Sequence, residues 1–146
     1  MDEQLQARSA PNSLEAEQAL LGAILIDSRC LTDVIGIVRP EDFYLKQNRE
    51  IFEAIYTMFN FSQNIDPVTV LEKLRELGFY HDNSRDYIKQ LLEITPTAAN
   101  AVRYANIVKD KAMLRGLQDA GVEIVETVQE QVGTPAELLE NAEKKI

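Results

Sequence analysis

Apolar positions along this chain recur at steps of three and four, the spacing of helices, and no stretch sustains a period of two. From about Ser13, the residues Leu14, Leu21, Ile24 and Leu25 form one apolar face, with Asn12 and Glu15 spaced as a capping box. Gly22 sits inside this helix at a cost of roughly 1 kcal/mol relative to alanine, which points to close helix packing. Asp27-Ser28 breaks the pattern; Leu31, Val34, Ile35 and Val38 resume it until Arg39-Pro40 stops it. A tight connection over 40–44 leads to a third helix with Ile51, Phe52, Ile55, Tyr56 and Phe59 on one stripe. Asp66-Pro67 reads as an N-cap followed by proline at the first helical position. The helix it opens carries Val70, Leu71, Leu74 and Leu77 inward and ends at Gly78. After a polar loop, Asn83 with Asp86 is placed to cap a short helix bearing Tyr87, Ile88, Leu91 and Leu92, which ends at Thr95-Pro96-Thr97.

From residue 97 the character changes. No proline interrupts 97–132, so one helix of about 34 residues, roughly 50 Å long, is expected. In its second half Leu114, Leu117, Gly121, Ile124 and Val128 follow the 3, 4, 3, 4 spacing of a coiled-coil seam. Gly133 fits a C-terminal cap, and Thr134-Pro135-Ala136-Glu137 combines a capping box with proline at the first helical position. The last helix places Leu138, Leu139, Ala142 and Ile146 on one side, giving an antiparallel hairpin. The predicted fold is therefore all-α: an arm over 1–12, a compact helical subdomain over 13–96, and a long helical hairpin over 97–146. Two helices share one seam, so Val122, Val125 and Val132 stay exposed unless a partner or second copy covers them. Leu114, Leu117, Gly121, Ile124, Val128, Leu138, Leu139 and Ala142 are the expected hairpin or dimer contact.

Charge and chemistry narrow the function classes. The net charge is −9, and duplex binding usually needs a basic stripe that displaces counterions, so protein partners are expected rather than direct nucleic-acid contact. Along the hairpin, Arg103, Lys109, Lys111 and Arg115 precede an acidic stretch from Asp119 to Glu143, a polarity that favours antiparallel self-association. With no apolar run near 18 residues and no signal-peptide pattern, a cytoplasmic protein without a membrane span is expected. There is no phosphate-binding glycine loop, and one histidine with one cysteine cannot make a usual zinc site. His81 reads as a solvated loop residue, Cys30 as a small packing residue, and the aromatics from Phe43 to Phe61 as core rather than a base-stacking platform. No catalytic, cofactor-binding or metal-binding residue is expected.

Four segments together resemble one family. Pro11-Asn12-Ser13-Leu14-Glu15-Ala16-Glu17-Gln18 with Leu21-Gly22-Ala23-Ile24 is similar to the opening of bacterial replicative DNA helicases of the DnaB family. Pro40-Glu41-Asp42-Phe43-Tyr44 with Asn48-Arg49-Glu50-Ile51-Phe52, then Asp66-Pro67-Val68-Thr69-Val70, resemble its next two blocks. Thr95-Pro96-Thr97-Ala98-Ala99-Asn100 with Tyr104-Ala105-Asn106-Ile107-Val108 and Lys111 resembles the opening of its hairpin. One block alone is a weak match; four in order are specific. There is one departure: Asn83-Ser84-Arg85-Asp86 precedes Tyr87 where the family often has a Gly-Gly pair.

The resemblance implies a non-catalytic N-terminal domain that pairs subunits through its hairpin, arranges a hexamer as a trimer of dimers, and docks primase. A helicase loader is a further implied partner. ATP and Mg would belong to a separate RecA-like motor domain of an ATP-dependent parent helicase, which this chain, ending at Ile146, does not reach. The alternative is the helicase-binding C-terminal domain of bacterial primase, which shares the plan of subdomain plus hairpin but not the opening block.

Overall fold

The run 20–25 is apolar around its whole circumference, and a helix apolar on every side has to be enclosed. The computed structural model, which describes residues 10–95 and 97–145, encloses it. Helix α1 (Leu14–Ile26) buries Ala16, Glu17 and all of 20–25, and α3, α5 and α6 pack around it. Leu14 is left at the exposed end, and Leu20, outside the expected stripe, is fully buried. The cap also differs from expectation. Ser13, not Asn12, accepts the Ala16 N–H on its Oγ, while the Asn12 amide turns back to the Ala10 carbonyl.

A 3-10 turn (Ser28–Cys30), capped by Asp27, leads to α2 (Leu31–Val34), a single turn rather than the expected helix through Val38. Gly36 and the branched Ile35, Ile37 and Val38 weaken its continuation, and Pro40 holds Arg39 extended. Leu31, Val34 and Val38 are buried all the same. A second 3-10 turn (Pro40–Asp42) then reverses the chain into α3 (Lys46–Asn60). Phe43 and Phe52 stack at 4.8 Å between ring centroids in the core. The aromatics are not uniformly core, because Tyr44 is partly exposed and Phe61 is 72% exposed.

Helix α4 (Pro67–Leu77) starts and stops where the pattern put it: Asp66 and Thr69 exchange side-chain to backbone bonds, and Gly78 closes it at φ 76°. Helix α5 (Ser84–Ile94) starts differently. Asn83 has φ −93° and ψ 1°, outside the extended geometry of an N-cap, and its amide pairs with Gln47 instead. The buried Ser84 hydroxyl accepts the His81 N–H at 2.8 Å.

Helix α6 (Ala101–Glu130) is 30 residues long, about 45 Å. It ends at Gln131, which takes the left-handed conformation at φ 53°, two residues before the expected Gly133. Helix α7 (Pro135–Lys145) begins at the expected signal, with the Glu137 N–H on Thr134 Oγ1 at 3.2 Å, and folds back along α6. Ile146, placed on the seam by its spacing, lies outside the described residues, as do residues 1–9 of the expected arm.

Candidate functional site

Helix α6 uses two opposite faces at successive points along its length. In its first half Ala101, Ala105 and Val108 are buried against the helical body. At 100° per residue, Leu114, Leu117, Gly121, Ile124 and Val128 lie about 180° around the axis from that buried face. The seam residues therefore point away from the body. Near the hairpin turn α7 meets this face: Ile124, Val128, Leu138, Leu139 and Ala142 line an apolar groove of about 530 Å³ with Gln131, Gly133 and Pro135. The groove is open, with Val128 55% and Leu139 65% exposed.

Leu114, Leu117 and Gly121 are not joined to α7. Lys145 already pairs with Glu123 at 2.6 Å, so α7 lies alongside the outer part of α6 only. Leu114 is 47% and Leu117 56% exposed, and a Cβ placed on Gly121 would meet none of the described residues within 4 Å. Eight expected residues thus divide into five that share one groove and three that continue its face toward the body.

Two of the four basic residues named for α6, Lys109 and Arg115, have partners inside the chain, which the expected antiparallel charge pairing did not include. Lys109 pairs with Asp42 at 3.3 Å. Arg115 donates to the Pro11 carbonyl at 2.8 Å and to the Asp42 carbonyl at 2.6 Å, and its guanidinium lies 5.4 Å from the centroid of the Tyr44 ring.

Sequence reasoning also missed a buried polar centre. Glu17 is 1% exposed and accepts the Tyr44 N–H at 2.8 Å, the Leu45 N–H at 3.3 Å and the Asn48 amide at 3.0 Å. Tyr87 donates to Asn48 Oδ1 and accepts from the Gln18 amide. Burial pushes the Tyr87 phenol above its ordinary pKa, the bonds to Gln18 and Asn48 pull it down, and the neighbouring Glu17 charge raises it again. The first and second sequence blocks are thus tied through Glu17 and Asn48, and α5 joins them through Tyr87.

The other candidates take structural places. His81 is not simply solvated: its Nε2 lies 2.8 Å from Glu50 Oε1, bracing the loop before α5 against α3. Burial raises the pKa of the Cys30 thiol, with Asp27 and Asp33 adding to it, the opposite of an activated nucleophile. Among the described residues no group of histidine, cysteine and carboxyl side chains is arranged to hold a metal, and no helix is long and apolar enough to cross a membrane.

The family model described as "DnaB-like helicase N terminal domain" matches residues 9–110. Replicative DNA helicase DnaB of Leifsonia xyli subsp. xyli is 36% identical over 140 residues, covering 95% of this chain and 31% of the relative. Its counterpart from Geobacillus stearothermophilus is 35% identical over 152 residues, covering 100% and 32%. The chain therefore spans about a third of the length of these relatives. In three dimensions it is similar to the crystal structure of the N-terminal domain of DnaB helicase from Mycobacterium tuberculosis, with a TM-score of 0.89 and 33% identity, covering 94% of this chain and 98% of that one. The family model, these relatives and the structural match decide between the helicase and primase readings: this chain belongs to the family of DnaB-like helicase N-terminal domains.

Proposed function

We propose that this domain is a non-catalytic assembly module of a replicative DNA helicase, pairing subunits through its hairpin and docking primase at the fork. Pairing would build the hexamer as a trimer of dimers. The observation that carries this reading is the apolar face of α6 on the side opposite the body, continuing past α7 through Leu117 and Leu114. Exposed contiguous apolar surface of this kind is typical of a protein contact. A second copy fits it because one symmetric contact covers both faces at once. Gly121 supports the same occupant: a mid-helix glycine costs about 1 kcal/mol, and none of the described residues approaches it closely enough to require one. ATP and Mg would be handled by the motor domain of the parent, which acts in the cytoplasm, and a helicase loader is a further expected partner.

Replacing Leu117 and Ile124 together with glutamate is expected to reduce the mass in light scattering to that of a single 16.5 kDa chain while the helical circular dichroism persists. An unchanged mass would remove the hairpin face as the pairing surface. Adding the helicase-binding domain of a cognate primase to the parent chain is expected to give a heavier complex. If no complex forms while self-association is intact, the docking role fails by itself.

Two glycine substitutions separate the pairing face from the rest of α6. Gly116 also has open space around it but lies about 140° around the helix from Gly121. Gly116→Ala is expected to stabilise the fold by about 0.5–1 kcal/mol without changing assembly. Gly121→Ala should stabilise the isolated helix equally yet weaken pairing, read as a rise in the dimer dissociation constant. Equal assembly in the two variants would show that no close contact forms at Gly121.

A further inference from the structure

We propose that Arg115 is a positioning residue that fixes the angle at which the hairpin leaves the helical body and holds the N-terminal segment against that hairpin. The last buried apolar residue of α6 against the body is Val108. Arg115 lies two helical turns further out, at the limit of the body's reach, and touches three residues of two chain segments there. One nitrogen reaches the carbonyl of Pro11, just ahead of α1, and the other reaches the carbonyl of Asp42, in the turn before α3. Tyr44 lies beneath the guanidinium.

The planar fork matters, because one side chain spans two carbonyls from segments 31 positions apart in sequence, and a lysine ammonium has no equivalent geometry. Lys109 adds a second tie to the same turn through the Asp42 carboxyl, but it directly follows Val108 and so has less leverage. Beyond Arg115, α6 buries none of its described residues, and α7 packs beside its outer part. The leverage is large: from Val108 to Glu130 the helix extends about 33 Å, so a tilt of about 10° moves the tip by roughly 6 Å. Without the clamp the hydrophobic contacts at Ala101, Ala105 and Val108 still hold α6 to the body but leave its inclination loosely determined.

The test is a distance measurement on the full chain by pulsed electron paramagnetic resonance. Spin labels are placed through Lys89→Cys on the body and Glu130→Cys at the tip, with Cys30→Ser removing the native thiol. Dilution with unlabelled protein restricts the signal to distances within one chain. The Arg115→Ala variant is expected to retain helical circular dichroism and to broaden or displace the distance distribution by several ångström. Amide hydrogen exchange at Asn12 and Ser13 should accelerate in the same variant. Arg115→Lys, which keeps the charge without the fork, is expected to fall between the two and provides the test if alanine prevents folding. Arg103→Ala, on the exposed part of the same helix, should leave the distribution as it was. A parent-like distribution in both Arg115 variants overturns the proposal, as does an equal change in Arg103→Ala.

Discussion

Replacing Glu17 with alanine is expected to lower stability by about 3 kcal/mol, because it leaves the N–H groups of Tyr44 and Leu45 and the Asn48 amide buried without an acceptor. Each orphaned donor costs about 1–3 kcal/mol, and partial entry of water offsets some of the sum. In a domain of this size that corresponds to a fall in Tm of roughly 10 °C by thermal circular dichroism. The same substitution on the exposed Glu15, two residues earlier, is expected to change Tm by no more than about 2 °C. A Tm for Glu17→Ala within 2 °C of the parent would rule out the network as a support of the fold. Because Asn48 depends on Glu17 for its orientation, Asn48→Ala on the Glu17→Ala background should cost clearly less than on the parent.

The second large effect is expected at Gly22. A Cβ built there would lie 2.6 Å from the Leu91 carbonyl oxygen and against the Thr95 side chain, so α1 and α5 meet backbone to backbone. The carbonyl belongs to a helix and cannot swing aside, so Gly22→Ala forces the two helices apart across the centre of the core. Alanine gains about 1 kcal/mol in helix propensity, while overpacking costs 1–3 kcal/mol and more where backbone must move. The net expectation is a loss of about 2 kcal/mol, read as a lower urea midpoint. The sign is the test, since the identical substitution at Gly116 is expected to raise that midpoint. A gain at both positions would mean that the close approach at Gly22 does not limit packing.

Much of this architecture is legible in the chain, and the reasons differ from element to element. Helix α4 is bounded by residues whose local chemistry admits few alternatives, a capping aspartate followed by proline at one end and glycine at the other. The start of α7 is explicit for the same reason. The hairpin face is legible because Leu114, Leu117, Gly121, Ile124 and Val128 keep an unbroken 3, 4, 3, 4 spacing along that half of α6. Where several residues compete for one local role, the outcome depends on contacts distant in sequence. Asn83 is drawn from its helix by Gln47, 36 residues earlier. Gln131 takes the left-handed cap ahead of Gly133, and no local rule selects it. Glu17 resembles any acid in a first helical turn, and only the unbroken apolar run after it hints that the helix is enclosed. Arg115 and Lys109 read as one end of a charge gradient because their carbonyl and carboxyl acceptors lie 67 to 104 positions away.

The two opposite faces of α6 set a phase relation between body and tip. One uninterrupted helix carries both, so the side on which the apolar stripe emerges is fixed by a residue count along the rod. A single inserted residue between Arg115 and Gly121 turns everything beyond it by about 100°, and two turn the stripe nearly to the far side. Seven return it to within about 20°. Hairpins of this kind are therefore free to vary in sequence along their polar sides but change length without losing their bearing only by near-whole numbers of turns, about seven or eleven residues at a time.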